Sequence, residues 1–119
     1  MATRKVNSDK TALLQGTLDL LILQILILGP HHGQGIARTI QRQSDDVFFV
    51  DHGSLYLALQ RLEEKKWISA EWGVSENNRK ARFYTLTKKG REQLQKKTTQ
   101  WRRVAGAVAR ILGPEEAEA

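Results

Sequence analysis

The chain has 119 residues, which is enough for one domain with a hydrophobic core and too few for two domains of ordinary size. Its formal charge of +6 and its pI near 9.9 suit a polyanionic partner, either nucleic acid or an anionic membrane surface, although charge alone does not choose between them. The absence of cysteine excludes a disulfide, a thiolate metal site and a cysteine nucleophile, and it agrees with a reducing compartment, so we expect a cytoplasmic protein.

The first two predicted helices follow a polar arm at residues 1–10, in which Arg4 and Lys5 can add nonspecific contacts to a polyanion. Residues 11–28 predict a helix that is apolar on all sides in its second half, and therefore central and buried. Its apolar run is too short to span a membrane and no secretory signal precedes it, so we expect no membrane partner. Residues 31–35 predict a turn, and residues 36–43 predict a short second helix.

The third predicted helix, residues 53–64, has two distinct faces. Its apolar residues Leu55, Ala58, Leu59 and Leu62 share one side, while Leu57 and Gln60 lie on the other side. An ordinary surface helix packed on a core has the same spacing, so this segment alone leaves both interpretations open. Either Ser54 or Asp51 can cap the helix.

A β-hairpin and a long helix complete the predicted elements. Residues 67–73 and 82–86 predict two strands joined by a polar, basic turn, because the apolar period changes from 3.6 to 2. Thr87 then predicts an N-cap, and residues 88–112 predict the final helix, which Gly113 and Pro114 end. An acidic tail, residues 113–119, follows.

The order of these elements predicts a mainly α, winged helix-turn-helix fold with a three-helix core, a two-stranded β wing and a long C-terminal helix. We divide the chain into a polar arm (1–10), a DNA-binding domain (11–86), a dimerisation helix (87–112) and an acidic tail (113–119). In this plan the third helix enters the major groove and the hairpin lies along the DNA backbone, which favours a recognition helix over a generic surface helix.

Five fragments of the sequence together resemble PadR-like transcriptional regulators: LQGTLDLLIL at 14–23, GPHHGQGI at 29–36, GSLY at 53–56, LQRLE at 59–63 and RFYTLTKKG at 82–90. The resemblance extends across roughly residues 11–112. It implies a dimeric winged-helix repressor whose last helix crosses onto its partner and whose basic wing tip lies beside the minor groove or the backbone. The chain departs from the family pattern at Gln34, where an aromatic residue is usual, and at Leu57, where proline is usual.

Four residues of the third helix are candidate DNA contacts. The hydroxyls of Ser54 and Tyr56 can donate to phosphate near the positive end of the helix dipole, although capping by Ser54 or packing of Tyr56 on the first helix would also explain them. Gln60 can bond adenine bidentately, or it can be simply solvated. Leu57 is proposed to meet a thymine methyl group or a hydrophobic surface of the partner.

Five further side chains complete the predicted DNA interface. Arg61 can bind a phosphate or pair with neighbours on the surface, and Gln34 supplies an amide at the start of the second helix. The carboxylates of Glu63 and Glu64 should keep the C-terminal end of the third helix out of the groove, because phosphates repel them. The predicted wing cations, which a merely solvated basic loop would also explain, are Arg79, Lys80 and Arg82.

The final helix carries a predicted dimer interface. Leu94, Trp101 and Val108 recur every seven residues, as in a coiled-coil seam, and Val104, Ile111 and Leu112 fill the intervening turns. By resemblance to drug-binding relatives, Trp101 is also a candidate for stacking a flat aromatic ligand, although a place in the dimer interface is the favoured interpretation.

Taken together, the residues predict a homodimeric, sequence-specific repressor that occupies a palindromic operator in double-stranded DNA and is released by a small aromatic effector. The alternative is a small-molecule-binding or protein-interaction module on the same fold without specific DNA binding. An enzyme is disfavoured, because Asp51, His52 and Ser54 lie too close in sequence to form a catalytic relay. His31 and His32 suggest no third metal ligand, so we expect neither a metal nor a cofactor.

Overall fold

The computed structural model describes residues 11–12 and 15–115, so the predicted N-terminal arm with Arg4 and Lys5, and the tail beyond residue 115, lie outside the described residues. The described elements, in chain order, are β1 (Thr11–Ala12), α1 (Gln15–Leu26), β2 (His31–His32), α2 (Gly33–Gln43), β3 (Phe48–Phe49), α3 (His52–Glu64), β4 (Ile68–Val74), β5 (Lys80–Leu86) and α4 (Lys88–Leu112).

Helix α1 lies at the centre of the core, as its all-round apolar character predicted. Ile22 and Leu23 have no exposed surface, and α1 packs against α2, α3 and the start of α4. The helix ends at Leu26, where the following amides bond three residues back instead of four and Gly29 adopts a φ of 130°. The remaining buried apolar residues are Leu18, Ile25, Leu26, Ile36, Ile40, Leu55, Ala58, Leu59, Leu62, Ile68, Tyr84, Leu86 and Leu94.

The predicted start of α1 was wrong. Residues 11–12 are extended, and they pair in parallel with Phe48–Phe49 instead of opening the helix. A pairing between segments so far apart in the chain leaves no local periodicity by which the sequence could reveal it.

In the described part of the chain, no helix has both the length and the apolar character that a membrane span requires.

The β-hairpin is confirmed, but a third strand joins it. The antiparallel sheet has the order β2-β5-β4, in which His31 pairs with Tyr84 and His32 with Phe83. We predicted a turn at residues 31–35, and this was wrong. Strand β2 has only two residues, which are too few to show the alternation by which a sequence reveals a strand. Helix α2 consequently begins at Gly33, with His32 as its N-cap through a bond from the Gly35 amide to Nδ1.

Helix α4 starts directly against the corner between α3 and β4. The predicted N-cap is confirmed: Thr87 Oγ1 accepts the Gly90 amide at 3.0 Å, and the same hydroxyl is within donating distance of the carbonyl oxygens of Lys66 and Trp67, at 2.8 and 2.9 Å. A Cβ at Gly90 would overlap the Trp67 carbonyl, so only glycine allows this approach. Leu94, one turn later, is buried in the core, which makes its predicted place in a dimer seam wrong.

The contact at Gly90 provides the first test. Gly90→Ala should lower the free energy of unfolding by about 1–3 kcal/mol, because either the helix or the Trp67 carbonyl must move. The matched control is Gly16→Ala, in the first turn of α1, where a new Cβ meets nothing within 4 Å. Urea denaturation measures both variants, and equal stability of the two would contradict the close contact.

Candidate nucleic-acid interface

The two faces predicted for α3 are present in the structure. Leu55, Ala58, Leu59 and Leu62 are buried against the core, and the opposite side is open to solvent. Leu57 is 60% exposed on that open side, where no core contact explains it. The other exposed residues of this face that were predicted to contact DNA are Ser54, Tyr56 and Gln60.

Asp51, rather than Ser54, caps α3. Its Oδ2 accepts the Ser54 amide at 2.9 Å, and this hydrogen bond is the main reason that the pKa of the Asp51 carboxyl lies below its ordinary value. The hydroxyl of Ser54 does not cap the helix. It is exposed in the first turn, beside the positive end of the helix dipole, and its own hydrogen bond to Asp51 is the second cause of the lowered pKa of that carboxyl.

Tyr56 joins α3 to the start of α2. A Cβ at Gly33 would stand 2.5 Å from the Tyr56 hydroxyl oxygen, so the absence of a side chain there makes room for the ring. The ring also lies 4.7 Å from that of His52. Tyr56 thus packs on the start of the second helix, whereas the alternative interpretation had placed it on the first helix, and part of its ring remains exposed.

Arg61 does not lie free on the surface as predicted. Its Nη2 donates to Asp19 Oδ1 at 2.8 Å, and Asp19 is one of the buried polar residues of α1. Because a buried carboxylate requires a charged or hydrogen-bonding partner, this pair holds the Arg61 side chain on the inward side of α3. The assignment of Arg61 as a phosphate contact is therefore replaced by a structural ion pair.

Arg82 likewise has a partner within the chain. Its two terminal nitrogens donate to the two carboxylate oxygens of Glu63, at 2.9 and 3.3 Å, so strand β5 of the wing is joined to the end of α3. The bidentate geometry is the strong form of this interaction. It also balances the charge of Glu63, which was predicted to repel phosphates. Arg82 therefore connects the wing to α3.

The turn of the wing contacts α2 through Glu76, which sequence reasoning missed. One carboxylate oxygen lies 3.3 Å from Nε2 of His32, and the other accepts from Arg38 at 3.1 Å. Since Nδ1 of His32 accepts the Gly35 amide, Nε2 carries the proton of the neutral ring and donates to Glu76. The pKa of Glu76 lies below its ordinary value, chiefly through a bond from its own backbone amide and then through His32.

An open cleft of about 590 Å³ lies between α3, the start of α2 and one face of the wing. Five predicted contact residues line it, and so does Trp72, which sequence reasoning did not single out. The predicted residues in the cleft are Gln34, Tyr56, Gln60, Lys80 and Arg82. Arg79 is exposed at the wing tip, outside the cleft. The arrangement places amides, hydroxyls and cations around a groove that is open to solvent.

The two adjacent histidines have structural partners. Nδ1 of His31 lies 2.8 Å from the carbonyl oxygen of Gly29, and His32 caps α2. Across the residues that the structure describes, no three histidine, aspartate or glutamate side chains come together in an arrangement that could hold a metal ion.

The far half of α4 exposes apolar side chains on one stripe. Ile111 and Leu112 are 85% and 77% exposed, although isoleucine and leucine are usually buried. The other exposed apolar residues of the stripe are Trp101, Val104 and Val108. The predicted seam therefore begins beyond Leu94.

Comparisons with known proteins cover most of the chain. Residues 22–96 match the family described as Transcriptional regulator PadR-like family. A PadR-like transcriptional regulator from Bacillus cereus is 29% identical, with a TM-score of 0.72 over 86% of this chain and 97% of that chain. A PadR family transcription regulator from Clostridium difficile is 31% identical, with a TM-score of 0.70 over 81% of this chain and 98% of that chain. An uncharacterized protein from Lysinibacillus sphaericus is 29% identical over 99 residues, which are 83% of this chain and 88% of that relative.

The pair between Asp19 and Arg61 gives the second test. Arg61→Ala should lower the free energy of unfolding by about 2–4 kcal/mol, because it leaves a buried carboxylate without its partner. In a double-mutant cycle measured by urea denaturation, Asp19→Ala combined with Arg61→Ala should cost less than the sum of the single changes, by about 0.5–3 kcal/mol. Strict additivity would show that the two side chains do not interact.

Proposed function

Because this chain belongs to the PadR-like family of transcriptional regulators, we propose that it is a repressor that binds a palindromic operator in double-stranded DNA as a homodimer. Members of the family are DNA-binding regulators and not enzymes, which confirms the expectation that this chain is no enzyme. One observation carries the proposal: the exposed face of α3 and the basic wing border a single open cleft, and the pair of Arg82 with Glu63 joins them.

The proposal assigns base readout to the first two turns of α3. An α-helix fits the major groove of B-DNA, and the exposed amide of Gln60 can bond adenine there. Leu57 would meet a thymine methyl group, which is consistent with an apolar side chain that is open to solvent in the unbound chain. Ser54 and Tyr56 would donate to the phosphates that flank the groove.

The wing and the start of α2 would contact the sugar–phosphate backbone. Arg79 and Lys80 are exposed cations on the wing, suited to phosphate contacts that position the protein without reading sequence. Gln34 is exposed in the same cleft and supplies an amide donor. Arg61 and Arg82 would act indirectly, by holding α3 and the wing in place.

A second copy of the chain would cover the exposed stripe on α4. Trp101, Ile111 and Leu112 lie on this stripe, and an apolar surface of this kind is expected at an interface between protomers. Two protomers related by a twofold axis would place their recognition helices in two half-sites about 34–36 Å apart. Occupation of such an operator would block transcription.

An aromatic effector is the second part of the proposal. The observation that favours it is the ring of Trp101, which is half exposed on the stripe that the partner would cover. A flat aromatic molecule stacked on this ring would lie between the protomers, where it could change their relative position and release the operator.

DNA binding is tested with duplexes selected by the full chain from a random library. The logarithm of the binding constant should fall linearly with the logarithm of salt concentration, with a slope of about −0.9 for each neutralised phosphate. Arg79→Ala and Lys80→Ala should each make that slope shallower by about 1 and should weaken binding to all sequences equally. Gln60→Ala should instead change the preference at particular base pairs.

Fluorescence anisotropy measures these constants, and Lys96→Ala, an exposed cation of α4 outside the cleft, is the control. A flat salt response would exclude the repressor and leave the alternative of a module without specific DNA binding. A uniform loss of affinity in Gln60→Ala would contradict base readout by Gln60.

Dimerisation is tested by analytical ultracentrifugation over a range of protein concentrations. Trp101→Ala should raise the dimer dissociation constant at least about tenfold, since truncation of a buried aromatic residue removes a large part of the interface energy. Gln95→Ala, at an exposed polar position of the same helix, is the control. An unchanged equilibrium in Trp101→Ala would remove Trp101 from the interface.

A further inference from the structure

One face of the β-hairpin packs on the core only near the base of the hairpin, and the outer half of the same face extends beyond the core. The pairs on this face are Ile68 with Leu86, Ala70 with Tyr84, Trp72 with Arg82 and Val74 with Lys80, since alternate residues of a strand share a face. At the base, Ile68 is buried, whereas Trp72 and Val74 are 64% and 65% exposed. The outer half of the face therefore presents apolar surface to solvent instead of to the core, and Trp72 presents its part of that surface to the cleft.

Two cations accompany the ring of Trp72. Nζ of Lys80 lies 5.4 Å from the ring centroid, and the guanidinium carbon of Arg82 lies 6.0 Å from it. Both positions are within the range of a cation–π interaction, and Arg82 is held in addition by Glu63. The indole is thus placed on the wall of the cleft that faces Tyr56 and Gln60 of α3.

The ligand that suits this surface combines negative charge with apolar ring faces. The backbone of DNA does so, because anionic phosphates alternate with deoxyribose rings whose faces are largely apolar. We propose that Trp72 packs against a deoxyribose of the backbone that borders the groove entered by α3, while Lys80 binds the adjacent phosphate. This inference rests on the proposed function, and it adds a contact at a residue for which the sequence predicted no role.

A sugar contact differs in two measurable ways from the other contacts. Deoxyribose carries no sequence information, so Trp72 contributes equally to operator and unrelated duplexes, unlike Gln60. It neutralises no phosphate, so it contributes nothing to the salt slope, unlike Lys80. A loss of affinity that is independent of both sequence and salt is therefore the signature of this contact.

The test compares Trp72→Ala, Trp72→Phe and Lys80→Ala in the full chain. Trp72→Ala should raise Kd about tenfold for selected and scrambled duplexes alike, through the loss of buried apolar area, with an unchanged salt slope. Trp72→Phe should recover most of the affinity. Because the ring is largely exposed, thermal unfolding of Trp72→Ala should match that of the unsubstituted chain.

Several outcomes would overturn the inference. If Trp72→Ala leaves Kd unchanged while Lys80→Ala raises it, Trp72 makes no sugar contact, although the proposed function still stands. If the unsubstituted chain binds no duplex, both the sugar contact and the proposed function are excluded. A loss confined to particular base pairs would make Trp72 a base contact. A last outcome would assign the cleft to small aromatic anions instead of DNA. In that case benzoate at millimolar concentration quenches the tryptophan fluorescence of the unsubstituted chain but not that of Trp72→Phe, and DNA affinity does not depend on Trp72.

Discussion

The burial of one face of α3 against α1 is the constraint on which the candidate interface depends. Leu55, Leu59 and Leu62 are almost completely enclosed, and the neighbouring Arg61 bonds to the buried carboxylate of Asp19. These contacts determine the rotation of α3 about its own axis, and therefore which residues lie outward. Through Arg82, Glu63 extends the same constraint to the wing. The orientation of the exposed surface is thus a consequence of packing in the core.

The net charge of the chain does not by itself describe what a polyanion would meet. Three arginines of the described residues bond to carboxylates, and the amino groups of Lys65 and Lys97 lie over the ring of Trp67. The three arginines join elements to one another. Arg79 is instead exposed at the tip of the wing, and Lys80, although its amino group lies over the ring of Trp72, is exposed beside the cleft. A composition analysis counts both groups equally, and only their placement separates them.

The sequence was most informative where an element is long and its period is regular. The ends of α3 and α4 could be predicted to within a residue, because caps and apolar spacing act locally. Contacts between distant segments could not be predicted: 42 positions separate Asp19 from Arg61. Leu94 shows a different limit, because heptad spacing defines a helix face without saying whether that face meets its own core or another chain. For Trp72, alternation identified the strand but not how far the core extends beneath it.

The contact between Gly90 and the Trp67 carbonyl has a mechanical consequence. Leu94 is the last buried residue of α4, so about 27 Å of helix extends beyond the core, at about 1.5 Å per residue. A tilt of about 10° at this contact would displace the far end of a rod of that length by roughly 5 Å. The contact at Gly90 therefore fixes the direction in which α4 leaves the core, beside the end of α3. In the proposed homodimer, that direction would set the distance between the two copies of the winged core.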